Sequence, residues 1–258
     1  MAEIKFIGTG SGKSSLNRFH SSFLVSSSYY NLLIDAGDGV SRALLSQGID
    51  FTKIDGILIT HLHPDHYTGL AALIVQMKMY NREEQLDIFI NSELVGVIEK
   101  FLISSYLFPE RLGFSISYHK YSSDNLFEIN DEINFIPRQN SHLTSVSNLQ
   151  QYKHQSFACS SILLKLENKY IHYTGDIGDK NDLQLFKEFE PDVLISEITH
   201  IELIDILDAF DENKFPENII FTHISDGDEM RIDKFLSDIV GVQKAKFITA
   251  HDGLKFTL

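Results

Sequence analysis

Along the chain, short apolar runs alternate with polar segments, and many of the runs stop at a histidine, an aspartate or a glycine. Short apolar runs bounded by turn-forming residues read as strands; longer stretches with an apolar residue every third or fourth position read as helices. A strand opens at Ile4 and runs into the loop Gly8-Thr-Gly-Ser-Gly-Lys-Ser-Ser. Further strands are expected over 19–28, 30–35, 56–59 and 86–90, with short alternating strands between 113 and 136. Residues 157–166 and 169–173 read as a hairpin over Glu167-Asn168, and buried strands follow at 193–196, 219–222 and 246–249. Helices are expected over 40–47, over 70–80 with apolar positions 70, 73, 74 and 77, and from an N-cap at Ser92 to about residue 107. Two more are expected over 182–189 and 228–240. Residues 138–155 are polar without a clear period and read as a long loop around His142. Loops of that length inside a domain are usually functional or disordered.

The strand ends repeat. Gly37-Asp38 and Gly175-Asp176 each close one strand, and Thr60-His61 and Thr222-His223 each close a later one. The steps differ, 61 − 38 = 23 against 223 − 176 = 47, so this is no tandem repeat. The common order predicts two similar βαβ-like halves about a shared rim, and strand ends on one rim are where α/β proteins place ligands. No Pro/Gly/Ser-rich linker separates the halves, so residues 1–258 are expected to form one domain of two sheets covered by helices.

Composition narrows the function classes. With 258 residues the chain can bury a sizeable core, and 43% apolar and 22% charged residues are ordinary for a soluble globular protein. The single cysteine, Cys159, excludes an intrachain disulfide, so any metal site must be built from histidine and carboxylates. The N-terminus lacks a basic segment followed by an apolar one, and no run approaches a membrane span, so a cytoplasmic protein is expected. The net charge of −14 repels polyanions, and no Lys/Arg cluster offsets it for a nucleic-acid partner. Gly10-Ser-Gly-Lys-Ser resembles a phosphate-binding loop, but Ile7 stands where a Walker loop needs its first glycine, and a strand follows instead of a helix. What survives is a tight turn carrying backbone amides near a site.

The densest chemistry lies in Thr60-His61-Leu62-His63-Pro64-Asp65-His66, four candidate ligands within six residues at a strand end. Such a turn can aim His61 and His63 one way and Asp65 and His66 another, which suggests two neighbouring metals. His142, Asp176, His223 and His251 also end strands or sit in the long loop. His20, His119, His154, His172 and His200 have no motif behind them and are expected to pack at the surface or in the core.

Through His61-Leu-His63-Pro-Asp65-His66 the sequence resembles the metallo-β-lactamase fold superfamily. Within it the chain looks most like ribonuclease Z and shorter phosphodiesterase relatives. That likeness rests on Phe6-Ile-Gly-Thr-Gly-Ser-Gly, Asp35-Ala-Gly-Asp-Gly, Ser141-His142, Thr174-Gly-Asp176, Ser196-Glu-Ile-Thr, Thr222-His-Ile-Ser and Ala250-His-Asp-Gly. The resemblance implies an αββα four-layer sandwich and two divalent ions, zinc first and manganese or iron as alternatives. It implies that His61, His63 and His142 hold one ion, Asp65, His66 and His251 the second, and that Asp176 bridges. Asp65 would orient a metal-bridging hydroxide, His223 would assist at the scissile phosphate, Glu197 would support it, and Asp38 would orient a bound imidazole. The protruding arm of transfer-RNA-processing ribonuclease Z has no room here, since only 176 − 142 = 34 residues separate the relevant positions, and the family's arginine-asparagine stretch reads Asn17-Arg-Phe-His-Ser. The first reading is therefore a phosphodiesterase acting on a small or cyclic phosphodiester. The second is a transfer-RNA 3′ endonuclease, and the third a non-catalytic metal-binding module; lactone or thioester hydrolysis on the same fold stands behind them. A homodimer is compatible with all of these.

Overall fold

The computed structural model describes residues 2–210, 215–239 and 246–258. Two compact units divide the chain: Met1–Ser122 with His251–Leu258, and Ser123–Ala250. The first contains β1 (Glu3–Gly8), β2 (Ser22–Ser26), β3 (Asn31–Ile34), α1 (Val40–Ser46), β4 (Gly56–Ile59), α2 (Pro64–Tyr67), α3 (Leu70–Met79), β5 (Leu86–Asn91), α4 (Val95–Ser104) and β6 (Ile116–Tyr121). The second contains β7 (Phe127–Glu128), β8 (Ile133–Gln139), α5 (Thr144–Ser147), β9 (Ser160–Leu166), β10 (Lys169–Tyr173), β11 (Val193–Glu197), α6 (Leu203–Asp208), β12 (Asn218–Thr222), α7 (Asp228–Asp238) and β13 (Lys246–Thr249). The last strand, β14 (Lys255–Thr257), returns to pair antiparallel with β1.

Each unit is built on a seven-stranded mixed sheet, ordered β14-β1-β2-β3-β4-β5-β6 in the first and β13-β12-β11-β10-β9-β8-β7 in the second. In both, antiparallel strands lead into a parallel set, β3 to β6 and β10 to β13. Parallel strands covered on both faces read as unbroken apolar runs, and β4 and β11 are buried along their whole lengths. That is why these strands were legible in the sequence. The parallel strands end at loops that carry His61, Asp176 and His223.

Strand order sharpens the repeat. If β3 matches β10, the partner of β4 is β11, not β12. The counterpart of Thr60-His61 is then Thr199-His200, a step of 200 − 176 = 24 residues against 23 in the first unit. Thr222-His223 follows the next strand along.

Other expectations shift for local reasons. Ser92 caps nothing: Asn91 Oδ1 accepts from Glu93 N at 3.0 Å, and α4 starts beyond it with Leu94 as its N-cap. Residues 182–189 form no α-helix but two 3₁₀ turns, Lys180–Gln184 and Lys187–Phe189. Asp179 caps the first turn, and Glu190 reverses the chain with φ 47° just before Pro191. Helix α6, six residues started by a Glu202–Asp205 capping box, and β14, three residues long, are too short for a clear periodic pattern. Val240, assigned to the last helix by its pattern, lies outside the described residues. In the polar stretch around His142 only α5 and the turn Gln150–Tyr152 form, both without a buried residue. Among the described residues no helix is long and apolar enough to cross a membrane.

One core residue carries a pH dependence. His172, on β10, is buried with its ring edge-on to Phe186, at a 4.9 Å centroid distance. Burial, with a smaller contribution from the Arg138 guanidinium, pushes its pKa down from 6.5 to about 3. The folded state therefore keeps the ring neutral while the unfolded chain takes up a proton below about pH 6.5. This contribution to stability is complete above that pH and shrinks as pH falls toward 3, at about 1.4 kcal/mol per pH unit. Thermal unfolding of the wild type and His172→Phe between pH 7 and 4.5 checks it: the variant should lose less stability per pH unit. Identical slopes would show that His172 is not the group responsible.

Candidate metal centre

In the first unit the ligand-rich turn is shaped by Pro64. The chain runs extended through His63 (φ −73°, ψ 144°), and Pro64, preset for a helix start, opens α2 at its first position. Asp65 and His66 thus fall in the first helical turn and are buried, while His61 and His63 precede it. The His61 ring lies 4.8 Å from that of His63 and 4.2 Å from that of His66. Ligand atoms of His61 and His63 approach within 4.8 Å of each other, as do those of Asp65 and His66. Gly12 brings the Gly/Ser loop onto this turn: a Cβ there would lie 3.2 Å from Asp65 Oδ2. The stretch that resembled a phosphate-binding loop is therefore a close-approach turn beside a candidate ligand.

Asp35 orients the group. It is fully buried and leaves β3 in the left-handed region, φ 58°. Its carboxylate accepts from Thr60 N and Thr60 Oγ1, both at 2.9 Å, and from His66 Nδ1 at 2.8 Å. A carboxylate holding Nδ1–H fixes the tautomer and turns the Nε2 lone pair toward a cation. Thr60 Oγ1 stands 3.1 Å from His61 Nδ1. Asp38, expected to orient an imidazole, is exposed; the positive φ at Asp35 sends the earlier carboxylate inward instead. An aspartate ending an apolar strand was the available signal.

In the second unit Asp176 follows β10 and is 2% exposed. Its Oδ2 lies 3.6 Å from His142 Nε2 and its Oδ1 3.3 Å from His223 Nε2. Asn140 joins the two loops: its Nδ2 donates to the Asp176 carbonyl at 2.9 Å, and its Oδ1 accepts from His142 N at 3.2 Å. His223 has φ 55° and sits beside Thr199, whose hydroxyl donates to the His223 carbonyl at 2.8 Å. A hydroxyl has one proton to give, so toward His223 Nδ1, also at 2.8 Å, it acts as acceptor. Nδ1 then carries the proton, and a neutral His223 presents an unprotonated Nε2 to Asp176. Two electron-rich atoms at that separation call for positive charge between them, a proton or a metal ion. The donors are imidazole nitrogens and carboxylate oxygens without thiolate, which suits zinc, manganese or iron. The residues fit a divalent ion.

Two other expected residues stand differently. Glu197 is 1% exposed and does not reach His223; its Oε1 accepts from His200 Nδ1 at 2.8 Å and from Ile177 N at 3.3 Å, and its Oε2 accepts from His200 N at 3.0 Å. His200, expected to be mere packing, is thereby oriented with its ring 4.8 Å from that of His142. The i, i+3 spacing from Glu197 and the 24-residue step from Asp176 were its only sequence signals. His251, expected to hold the second ion, is exposed, with Nδ1 3.1 Å from its neighbour's carbonyl, and among the described residues belongs to neither group of close ligand atoms. The residue drawn inward is Asp252, which accepts from Thr9 N at 2.9 Å and Phe19 N at 2.7 Å while the chain turns at Gly253, φ 89°. Of the remaining histidines, His20 bonds Ser11 O through Nδ1 at 2.7 Å, His119 pairs with Asp87 at 2.9 Å, and His154 is exposed.

Comparison with known proteins gives a consistent picture. The family described as "Anti-Pycsar protein Apyc1" matches residues 2–205. A ribonuclease Z from Aeropyrum pernix is 37% identical over 115 residues, 44% of this chain and 36% of that protein; the match thus spans little more than a third of the relative's length. The metallo-β-lactamase fold protein YhfI from Bacillus subtilis superposes with TM-score 0.73 at 17% identity, covering 99% of this chain and 98% of the other. The short form of human tRNase Z gives 0.71 at 18% identity, covering 99% and 98%. A diphosphatase from the PhnP family gives 0.67 at 18% identity, covering 100% and 98%. The chain has the metallo-β-lactamase fold, the class its histidine motif implied.

Asp35→Ala should weaken divalent-metal affinity about 10- to 100-fold, the usual effect of losing a carboxylate behind a ligating histidine. Asp38→Ala should leave it unchanged. Chelator competition with zinc measures both, and equal effects of the two substitutions would remove Asp35 from its orienting role.

Proposed function

The chain belongs to the Anti-Pycsar protein Apyc1 family, and from that premise we propose that it is a metal-dependent hydrolase opening a small or cyclic phosphodiester. Asp176 carries the reading: each of its oxygens faces a different imidazole, Oδ2 toward His142 and Oδ1 toward His223. That is how a carboxylate shared by two cations is dressed. We assign His61, His63 and His142 to one ion, Asp65, His66 and His223 to the other, and Asp176 to both. Zinc is the ion we expect. Divalent ions so held lower the pKa of water toward neutrality and take up phosphoryl charge.

The chain's own residues divide the remaining work. Asp65 accepts a proton from the attacking water and aims it at phosphorus. His223 gives up the proton-donor role expected of it, because Thr199 fixes its proton on Nδ1. That role passes to His200, whose imidazolium form the carboxylate of buried Glu197 supports at Nδ1 and which can then give a proton to the departing alkoxide. Two divalent charges against the carboxylates of Asp65 and Asp176 leave the site positive within a chain of net charge −14, so a compact anion is drawn in while a long polyanion is repelled.

A second reading, transfer-RNA 3′ processing, has one observation in its favour, the 37% identity to a ribonuclease Z. The 34-residue interval between His142 and Asp176 and the acidic balance weigh against it.

Zinc-loaded protein should turn over bis-p-nitrophenyl phosphate and 2′,3′- or 3′,5′-cyclic nucleotides with little salt dependence. Cleavage of precursor transfer RNA, falling steeply with salt, would favour the second reading. Asp176→Ala should lose both metal and turnover. His200→Ala should keep its metal and lose roughly 10²- to 10⁴-fold in kcat; full activity in that variant would end its assigned role.

A further inference from the structure

One buried carboxylate in the second unit is used by neither ligand nor proton donor. Asp182 is 6% exposed and sits in the 3₁₀ turn Lys180–Gln184. Its Oδ2 accepts from Ser141 Oγ at 2.7 Å, from Ser141 N at 3.1 Å and from Gly178 N at 2.9 Å, while its Oδ1 accepts from Ser141 N at 3.2 Å. Ser141 immediately precedes His142, and Gly178 lies two residues beyond Asp176. A single carboxylate thus grips the segments bearing both residues. The grip is tight: a Cβ on Gly178 would collide with Ser141 Oγ and the Ser141 carbonyl, so only glycine lets the two segments touch.

We infer that Asp182 is a positioning residue for the metal position shared by His142 and Asp176, setting their separation and through it the affinity of that position. The inference rests on the metal-dependent reading above. Physically, three donors converge on one acceptor group, and charge-assisted hydrogen bonds of this kind are about twice as strong as neutral ones. His142 follows β8 on a segment whose next fourteen residues are mostly polar and mostly exposed, Val146 and Leu149 included, so little apolar packing holds it. Without the clamp, Asn140 still ties the Ser141 segment to the Asp176 segment. Groups that orient ligands in this way commonly change metal affinity by one to two orders of magnitude when removed. The clamp also explains the failed helix over 182–189: Asp182 is turned toward Ser141 and Gly178 in a tight 3₁₀ turn.

The test is zinc binding by competition with a chromophoric chelator, on wild type, Asp182→Asn, Ser141→Ala and Gly178→Ala, with thermal unfolding of each metal-free protein alongside. Asn should turn an amide N–H toward the same donors, Ser141→Ala removes one donor, and Gly178→Ala pries the segments apart. The expected result is a two-site isotherm in which one constant weakens 10- to 100-fold and the other holds, with the metal-free melting temperature little changed. Ser141→Ala should fall between wild type and Asp182→Asn. Unchanged constants in Asp182→Asn and Gly178→Ala, or both constants weakening in step with a lower melting temperature, would overturn the positioning role. A wild type that binds no zinc would instead overturn the metal-dependent reading itself, so the two failures are distinct.

Discussion

Carboxylates turned inward at strand ends and in the loops beyond them are the constraint on which each unit depends. Taking a carboxylate out of water costs several kcal/mol unless hydrogen bonds replace the solvent. Asp35, Asp182 and Glu197 meet that condition, and half-buried Asp252 does likewise, by accepting from backbone N–H groups, hydroxyls and imidazoles. Each in doing so fastens a loop that carries a ligand candidate or lies beside one. Loops are ordinarily the loosest part of a domain, whereas a metal centre needs donors held to a fraction of an ångström. The four clamps reconcile these demands. They also change the meaning of the acidic composition: much of it solubilises the surface, but these carboxylates are internal ties.

The hydroxyls and backbone turns around the clamps decide chemistry as well as position. Thr199 spends its one proton on the His223 carbonyl and so leaves Nε2 of that ring as a donor of electrons. Glu197 sets the same tautomer in His200 by taking Nδ1–H, but as a carboxylate it also supports the ring's protonated form, which a neutral hydroxyl does not. Two histidines in neighbouring strand-end loops thus share a tautomer and differ in the charge of the partner behind the ring. Positive φ at Asp35 and His223 makes the same distinction for the backbone, directing inward a side chain that an extended residue would point elsewhere.

These details mark the limit of what the sequence could disclose. The parallel strands were readable as unbroken apolar runs, and His61, His63, Asp65 and His66 were readable because they fall within six residues with Pro64 to start the helix. Both His223 and His251 end strands in histidine, and the sequence alone does not show that Asp252 is pulled toward Thr9 and Phe19 or that Thr199 holds His223. Nor could spacing distinguish Asp35 from Asp38, three residues apart in one turn. The internal repeat was sensed but misaligned, because Thr-His occurs after both β11 and β12 and only strand order says which matches β4.

The central claim, as proposed, is that seven side chains hold a pair of divalent ions with Asp176 shared. A crystal structure of zinc-loaded protein, with anomalous differences recorded at the zinc edge, examines it most directly. The expected result is two peaks per chain, one bounded by His61, His63 and His142, the other by Asp65, His66 and His223, both touching Asp176. A single peak, or ligation by His251 in place of His223, would contradict it.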